Sequence, residues 1–252
     1  MAKYSAFGTT LGRGLAQIET ATVVGAVTGS GNATVVVTAA GMTGTPITLS
    51  VAVLNGDTAS TVGRKIKSAA ALNVNIAAYF VVSNNGAATI WTRKAAAAND
   101  TSMNISIANG SCSGLTSAPT STNTQAGTVY TTIAQVQNFG GPKLSTDIID
   151  VTAHDSPGSW EESIATILRS GELTMDILYD PVLVTHSYTS TIGLLYEYKE
   201  RMIVWHKMTF PTTPAASWYF AGIVTGFEMS ANYDDALRAT VTLKLTGQPI
   251  IA

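Results

Sequence analysis

From Glu172 to Tyr179 the chain alternates, with Leu173, Met175, Ile177 and Tyr179 on one face and Glu172, Thr174, Asp176 and Leu178 on the other. A period of two belongs to a strand with one buried side, because successive side chains of an extended chain point to opposite faces. Three longer extended runs follow: Met202 to Phe210, Trp218 to Ser230 and Leu237 to Thr246, with turns at Pro211 to Pro214 and at Asn232-Tyr233-Asp234-Asp235. Tyr130 to Val136 and Ile148 to Thr152 add two more, separated by the turn Phe139-Gly140-Gly141-Pro142. Between the alternating strand and the long ones, Thr189, Ile192, Leu195, Tyr196 and Lys199 recur at spacings of three and four, which predicts a helix over 185–201. A mostly antiparallel set of strands with one helix is a β-sandwich or barrel.

Residues 16–127 read differently. Ala33 to Thr38 and Ile47 to Val53 are β-branched runs bounded by glycines, and both predict strands. Gly56-Asp57-Thr58 offers a helix N-cap, and Val62, Ile66 and Ala69 or Ala70 follow at helical spacing, with Arg64, Lys65 and Lys67 on the other sides. Ile76 to Ser83 and Ala88 to Thr92 predict a hairpin around Asn84-Asn85-Gly86, because an Asn-Gly pair accepts the positive φ angles of a tight turn. Met103 to Ala108 adds a further strand. Ser111 to Gly127 is almost wholly Ser, Thr, Gly, Pro, Ala and Asn, and predicts a linker. The expected organisation is therefore a small inserted α+β domain, 16–127, within a discontinuous β domain formed by 1–15 and 128–252.

Charge separates the same two segments. Residues 16–127 hold five of the fourteen Lys and Arg and three of the sixteen Asp and Glu, leaving nine cations against thirteen anions in the rest of the chain. Charged residues make up 12% of the chain, while apolar ones make up 46%. The charged share is about half of the usual quarter. A monomer of 252 residues needs a charged surface to stay dispersed, so this shortage predicts surface covered by another subunit. The net charge of -2 leaves no overall basic field to hold nucleic acid. Met1 to Gly8 lacks the apolar core of a signal peptide, and no apolar run is long enough for a membrane anchor, which places synthesis and folding in a cytoplasm by expectation.

Residues with catalytic potential do not form recognisable constellations. His154-Asp155-Ser156 are adjacent in a Pro-Gly turn, whereas nucleophilic catalysis needs its three groups to converge from separate places. Glu161-Glu162 and Asp234-Asp235 are neighbours that point apart on any regular element. His186, His206 and the single Cys112 lack the spacing of metal ligands, and Gly29-Ser30-Gly31 lacks the context of a dinucleotide loop. The expectation is a non-enzymatic protein with no cofactor and no metal.

Several stretches carry a resemblance to a known family. Ala6-Phe7-Gly8-Thr9-Thr10-Leu11-Gly12-Arg13-Gly14 is similar to the opening of the major tail tube proteins of long-tailed, siphophage-type bacteriophages, and Thr131 to Pro142 looks like its direct continuation. Ile148 to Glu162, containing His154-Asp155-Ser156-Pro157-Gly158-Ser159-Trp160, resembles that family's most recognisable stretch. Ser217 to Gly222, Thr225 to Glu228 and Ala239 to Gly247 also fit.

The resemblance covers about half of the chain and skips 16–127. It implies a tail-tube-like β-sandwich related to the type VI secretion tube protein. By the same resemblance, subunits form rings, usually of six, that stack into a tube for DNA ejection in a virion tail assembled in the host cytoplasm. The implied partners are further copies of the chain, other tail proteins (tape measure, tail terminator and distal tail) and DNA in transient, non-specific passage. His154, Asp155, Ser156, Pro157, Gly158 and Trp160 are the expected subunit-interface residues, with Trp160 as apolar anchor. The alternative is a non-enzymatic surface carbohydrate-binding or adhesion module, suggested by the Thr-rich strands and the aromatics.

Overall fold

A computed structural model describes residues 7–154, 158, 160–212 and 215–251. The chain is mainly β, with antiparallel sheets and, among the described residues, three helices. It divides into two compact units, residues 1–13 with 130–252 and residues 14–129. The first strand, β1 (Thr10–Gly14), opens the first unit, and the chain then passes through the whole of the second.

The second unit contains β2 (Ile18–Thr22), β3 (Val24–Gly29), β4 (Gly31–Thr38), β5 (Ile47–Val53), α1 (Ala59–Leu72), α2 (Val74–Tyr79), β6 (Phe80–Asn85), β7 (Ala88–Arg93), β8 (Asn104–Asn109), β9 (Ser113–Thr116) and β10 (Thr122–Gln125). They form sheets in the orders β10-β2-β7-β6 and β5-β4-β8, with β3 paired to β9. Thr58 caps α1 by accepting from the Thr61 amide, and Val62, Ile66 and Ala70 form the buried stripe that packs onto the sheets. Arg64 and Lys67 stay on the exposed side.

Two expectations fail in this unit. Ile76 to Ser83 is not one strand: residues up to Tyr79 are helical, and β6 begins at Phe80. The Asn73 side chain is the cause, since its Oδ1 accepts from the amides of Asn75 and Ile76 at 3.2 and 3.1 Å and starts a new helical turn. Ser111 to Gly127 is not a linker either, because it supplies β9 and β10. Side-chain amides hold it in place. Asn109 bonds both backbone groups of Leu115, and Asn104 bonds the Pro119 carbonyl and the Ser121 amide. Ser121 then donates to the buried Glu19 carboxylate at 2.8 Å. Short polar residues thus supply hydrogen bonds that a composition count reads as looseness.

The first unit resumes with β11 (Thr131–Thr132), β12 (Val136–Gly140), β13 (Ser145–Asp150), β14 (Ser163–Arg169), β15 (Glu172–Leu178), α3 (Leu194–Glu200), β16 (Val204–Thr209), β17 (Ser217–Ser230) and β18 (Arg238–Ile251). Six of these strands and β1 make one seven-stranded sheet in the order β11-β1-β16-β17-β18-β15-β12. Its two outermost strands, β11 and β12, are consecutive in sequence. Laid flat, seven strands place their edges about 29 Å apart, since neighbours sit about 4.8 Å from each other. The connection Ile133 to Gln135 reaches at most about 14 Å. The sheet must therefore roll until its edges approach. Inside the roll lie Leu11, Ile133, Leu173, Met175, Phe220 and Val241.

The seam is fastened by polar groups. Buried His186 bonds the Ala134 carbonyl through Nε2 at 3.0 Å and accepts from the Asp180 amide at Nδ1 at 3.2 Å, which makes Nε2 the protonated nitrogen. Thr185 Oγ1 accepts from the Ala134 amide, and the Leu178 amide donates to the Gln135 carbonyl. Gln135 turns the chain with φ of 56°. This crossing explains why the run Tyr130 to Val136 is not a single strand, and why Phe139-Gly140, expected in a turn, completes β12 instead. The helix expected over 185–201 is confined to its last part. Upstream, Ser187 Oγ accepts from the amides of Thr189 and Ser190, a local alternative to helical bonding. The turn expected at Pro211 to Pro214 includes residues 213 and 214, which lie outside the described residues.

One end of the roll contains charge instead of hydrocarbon. Arg13 on β1 donates from Nε to Glu197 Oε2 at 3.1 Å and from Nη1 to the Thr191 carbonyl at 3.2 Å. His206 on β16 places Nε2 at 3.8 Å from the other Glu197 oxygen and stacks on Phe220. All three side chains are fully buried.

Removing one partner of a buried pair strands the other charge. Glu197→Leu is expected to lower the unfolding free energy by about 3–5 kcal/mol in urea titrations, and Arg13→Met with Glu197→Leu to recover most of it. Losing the seam bonds of His186 leaves an amide and a carbonyl unpaired, so His186→Ala is expected to cost about 3 kcal/mol in the same measurement.

Candidate assembly surface

β13 and β14 pair only with each other and stand apart from the seven-stranded sheet. Their ladder sets Ile149 opposite Ile164 and Ile148 opposite Ala165. Ile148 and Ile149 are adjacent and so lie on opposite faces. Both faces are consequently apolar, and both are open: Ile148 is 66% exposed, Ile149 56%, Ile164 56%, Ile167 58% and Leu168 82%. An isolated two-stranded ribbon is marginal in water, and one that wets isoleucines on both sides gains little from burial within the chain.

Polar contacts keep the ribbon in register. Arg169 grips Asp147 with Nε at 2.8 and 3.0 Å from the two carboxylate oxygens, and Thr166 Oγ1 donates to the Asp147 carbonyl. The Arg169 hydrogen bond holds the Asp147 carboxyl below the usual range. Towards the tip, the Val151 amide donates to the Glu162 carbonyl at 2.9 Å, and the Glu162 amide donates to Thr152 Oγ1 at 2.9 Å. Thr152 also donates its amide to Asp150 Oδ1, and these Thr152 contacts lower the Asp150 carboxyl.

The expected interface residues belong to the loop at this tip. His154 and Gly158 are exposed, and the Trp160 ring is 78% exposed. Gly158 has φ of 66°, and a Cβ there would come within 3.1 Å of Trp160 Cδ1, so glycine fits both the backbone and the ring. Asp155, Ser156 and Pro157 lie outside the described residues, as does Ser159. Sequence reasoning missed β14, whose Ile164, Ile167 and Leu168 extend the apolar surface well beyond the loop. Its signal was available in the β-branched run Ile164-Ala165-Thr166-Ile167.

A second apolar feature lies in the same unit. A cleft of about 610 Å³ opens between β12 and the ends of β1 and β16, lined by Phe7, Val136, Phe139, Met208, Phe210 and Pro211. The acidic pairs sit elsewhere: Glu161 and Glu162 are exposed beside the loop, and Asp235 is engaged by Arg238 at 2.9 Å. Among the described residues, no three His, Cys, Asp or Glu side chains are placed to hold a metal ion, and no helix is long and apolar enough to cross a membrane.

No family model matches the chain, and no curated protein matches it significantly. Solved structures that overlap part of it include three from particles with tails or baseplates. A chain from the virion of a native gene transfer agent particle aligns at 10% identity with a TM-score of 0.40, over 49% of this chain and 88% of its own. A chain from the tail of an empty particle of that kind, refined with C6 symmetry, gives 10% and 0.39 over 49% and 86%. One from the baseplate of an anti-feeding prophage gives 11% and 0.35 over 49% and 84%.

Exposure of Trp160 gives the surface a spectroscopic handle. The difference in fluorescence between the wild type and Trp160→Phe is expected to show ready quenching by acrylamide.

Proposed function

We propose that this chain is a non-enzymatic structural subunit of a phage-type tail, which closes into rings that stack as a tail tube for the passage of DNA. The single observation that carries the reading is the β13–β14 ribbon, apolar on both faces and uncovered by its own chain. Burying a side chain such as Ile149 or Leu168 is worth about 1.5–3 kcal/mol, and in this reading a neighbouring subunit supplies that burial. The cleft beside β12 offers a partly apolar surface on the same unit. In this reading the ribbon of one subunit enters the cleft of the next, a head-to-tail contact that generates rings when the rotation closes. The low charge of the chain fits a surface covered on assembly.

The conduit role rests on charge and on the resemblance. Residues 1–15 with 128–252 hold nine cations against thirteen anions, a balance that does not retain phosphate. His154, Asp155, Ser156, Pro157, Gly158 and Trp160 sit within subunit contacts in this reading, together with Ile148, Ile149 and Ile164. Residues 16–127 form an added module that decorates the assembly or touches host surface polymers. Neighbouring tail proteins are the further partners, and the site of action is the virion tail.

Ile149→Lys with Ile164→Asp tests the reading, because opposite charges facing each other across the ladder keep the ribbon paired while removing its apolar surface. Electron microscopy and light scattering over a concentration series are expected to show rings or tubes about 100 Å wide for the wild type, a size that follows from a handful of compact domains. The double variant is expected to stay monomeric. A wild type that remains monomeric at every concentration, or a double variant that assembles normally, overturns the reading.

A further inference from the structure

We propose that Arg13, Glu197 and His206 form a one-proton latch that sets how firmly helix α3 holds the seam of the rolled sheet. The geometry leaves complementary gaps. Glu197 Oε1, Arg13 Nη2 and the His206 ring nitrogens are buried without a well-formed hydrogen bond, although the Val204 backbone lies near enough to favour a ring proton on His206. Such orphans are costly in a protein interior. Glu197 Oε2 is already taken by Arg13, so Oε1 is the oxygen free to carry a proton. With the proton there, Oε1 donates to His206 Nε2, and the present 3.8 Å separation closes to about 2.8 Å. One proton thereby satisfies two orphan atoms while Oε2 continues to accept from Arg13 as a neutral carboxyl oxygen. The Arg13 charge is then met by its hydrogen bonds to Glu197 and the Thr191 carbonyl instead of by a counter-charge.

The groups around the site agree with a single shared proton. Arg13 faces Glu197 from β1 and His206 faces it from β16, the Thr191 carbonyl caps Arg13, and β17 contributes the uncharged Phe220 ring. Burial, against the pull of Arg13, raises the Glu197 carboxyl to about 7. Burial and the Arg13 charge lower His206 to about 3. The Glu197 contribution to stability is therefore present below its ordinary 4.5 and lost as pH rises through 7. That of His206 is present above 6.5 and lost as pH falls towards 3. Between these limits the folded chain holds one proton at the pair.

Backbone bonds link the latch to the seam. The amides of Leu194 and Tyr196 donate to the carbonyls of Thr185 and Ser187, and Thr185 and His186 hold Ala134. Loosening α3 slackens the residues that fasten the closing link.

Hydrogen exchange on dilute full-length protein at about pH 6 and about pH 9, corrected for the intrinsic rate, tests this on either side of the Glu197 value. The seam amides of Ile133 and Leu178 are expected to lose about tenfold or more of their protection at the higher pH in the wild type. Glu197→Gln carries an N–H for His206 at every pH, and is expected to show the same protection at both. The His206 ring nitrogens should shift in one step near pH 7 in wild-type nitrogen NMR, and that step should vanish in Glu197→Gln. Wild-type protection that ignores pH, or a pH response retained by Glu197→Gln, overturns the proposal. Should Glu197→Gln not fold, Arg13→Met with Glu197→Leu removes the carboxyl without stranding a charge, and a wild-type pH response in that double variant overturns it equally.

Discussion

The first unit depends on a three-residue bridge. Ile133 to Gln135 joins the two outermost strands of a seven-stranded sheet, and a link this short forces the sheet to curl until those edges are neighbours. The core exists because the sheet rolls, since only then do Leu11 on β1 and Leu173 on β15 enclose one interior. The bridge itself donates Ile133 to that interior, and its carbonyl and amide at Ala134 are bonded by His186 and Thr185. Closure thus rests on polar bonds that are directional, while the apolar core supplies most of the driving force without choosing a register.

Rolling the sheet also decides what is left outside. β13 and β14 lie between β12 and β15 in sequence, and those two strands pair with each other, so the ribbon is an excursion from a ladder that is complete without it. Evolution of a stable monomer would place polar residues on at least one face of such an excursion, as exposed ribbons ordinarily carry. Here Ile148 and Ile149 occupy both. A chain with few charges elsewhere has little to offset that exposure, and these two features are the physical grounds of the proposed assembly.

Period and turn chemistry made much of the strand order legible. The alternation of Glu172 to Tyr179 located β15 within a residue of its ends, the Asn-Gly pair located the β6–β7 hairpin, and Thr58 located the start of α1. The errors share a cause. Asn73, Asn104, Asn109 and Ser187 redirect the backbone through side-chain hydrogen bonds, so helix α2 read as strand, β9 and β10 read as linker, and an irregular segment read as helix. Such bonds depend on which distant backbone group arrives, and neither propensity nor period encodes that. For the candidate surface, the family resemblance named the loop around Trp160 as an expected contact. The exposure of β14 could not be read from the sequence, because a β-branched run looks alike whether its isoleucines meet a core or water.

The ionic cluster answers a problem created by the shortness of α3. Seven residues make a helix of about 10 Å, less than two full turns. Leu194 alone cannot fix the rotation and height of so short an element, because apolar contact is tolerant of small slides. Arg13 removes that freedom: it binds Glu197 inside the helix and the Thr191 carbonyl before it, so one side chain positions two points of the approach. Specificity bought with buried charge brings a desolvation cost, and the orphan atoms of Glu197 and His206 are where that cost is visible. A buried site that is held together by charge and leaves polar atoms of Arg13, Glu197 and His206 unpartnered depends on protonation for its packing in the proposed latch, whereas a hydrocarbon plug at the same place would not.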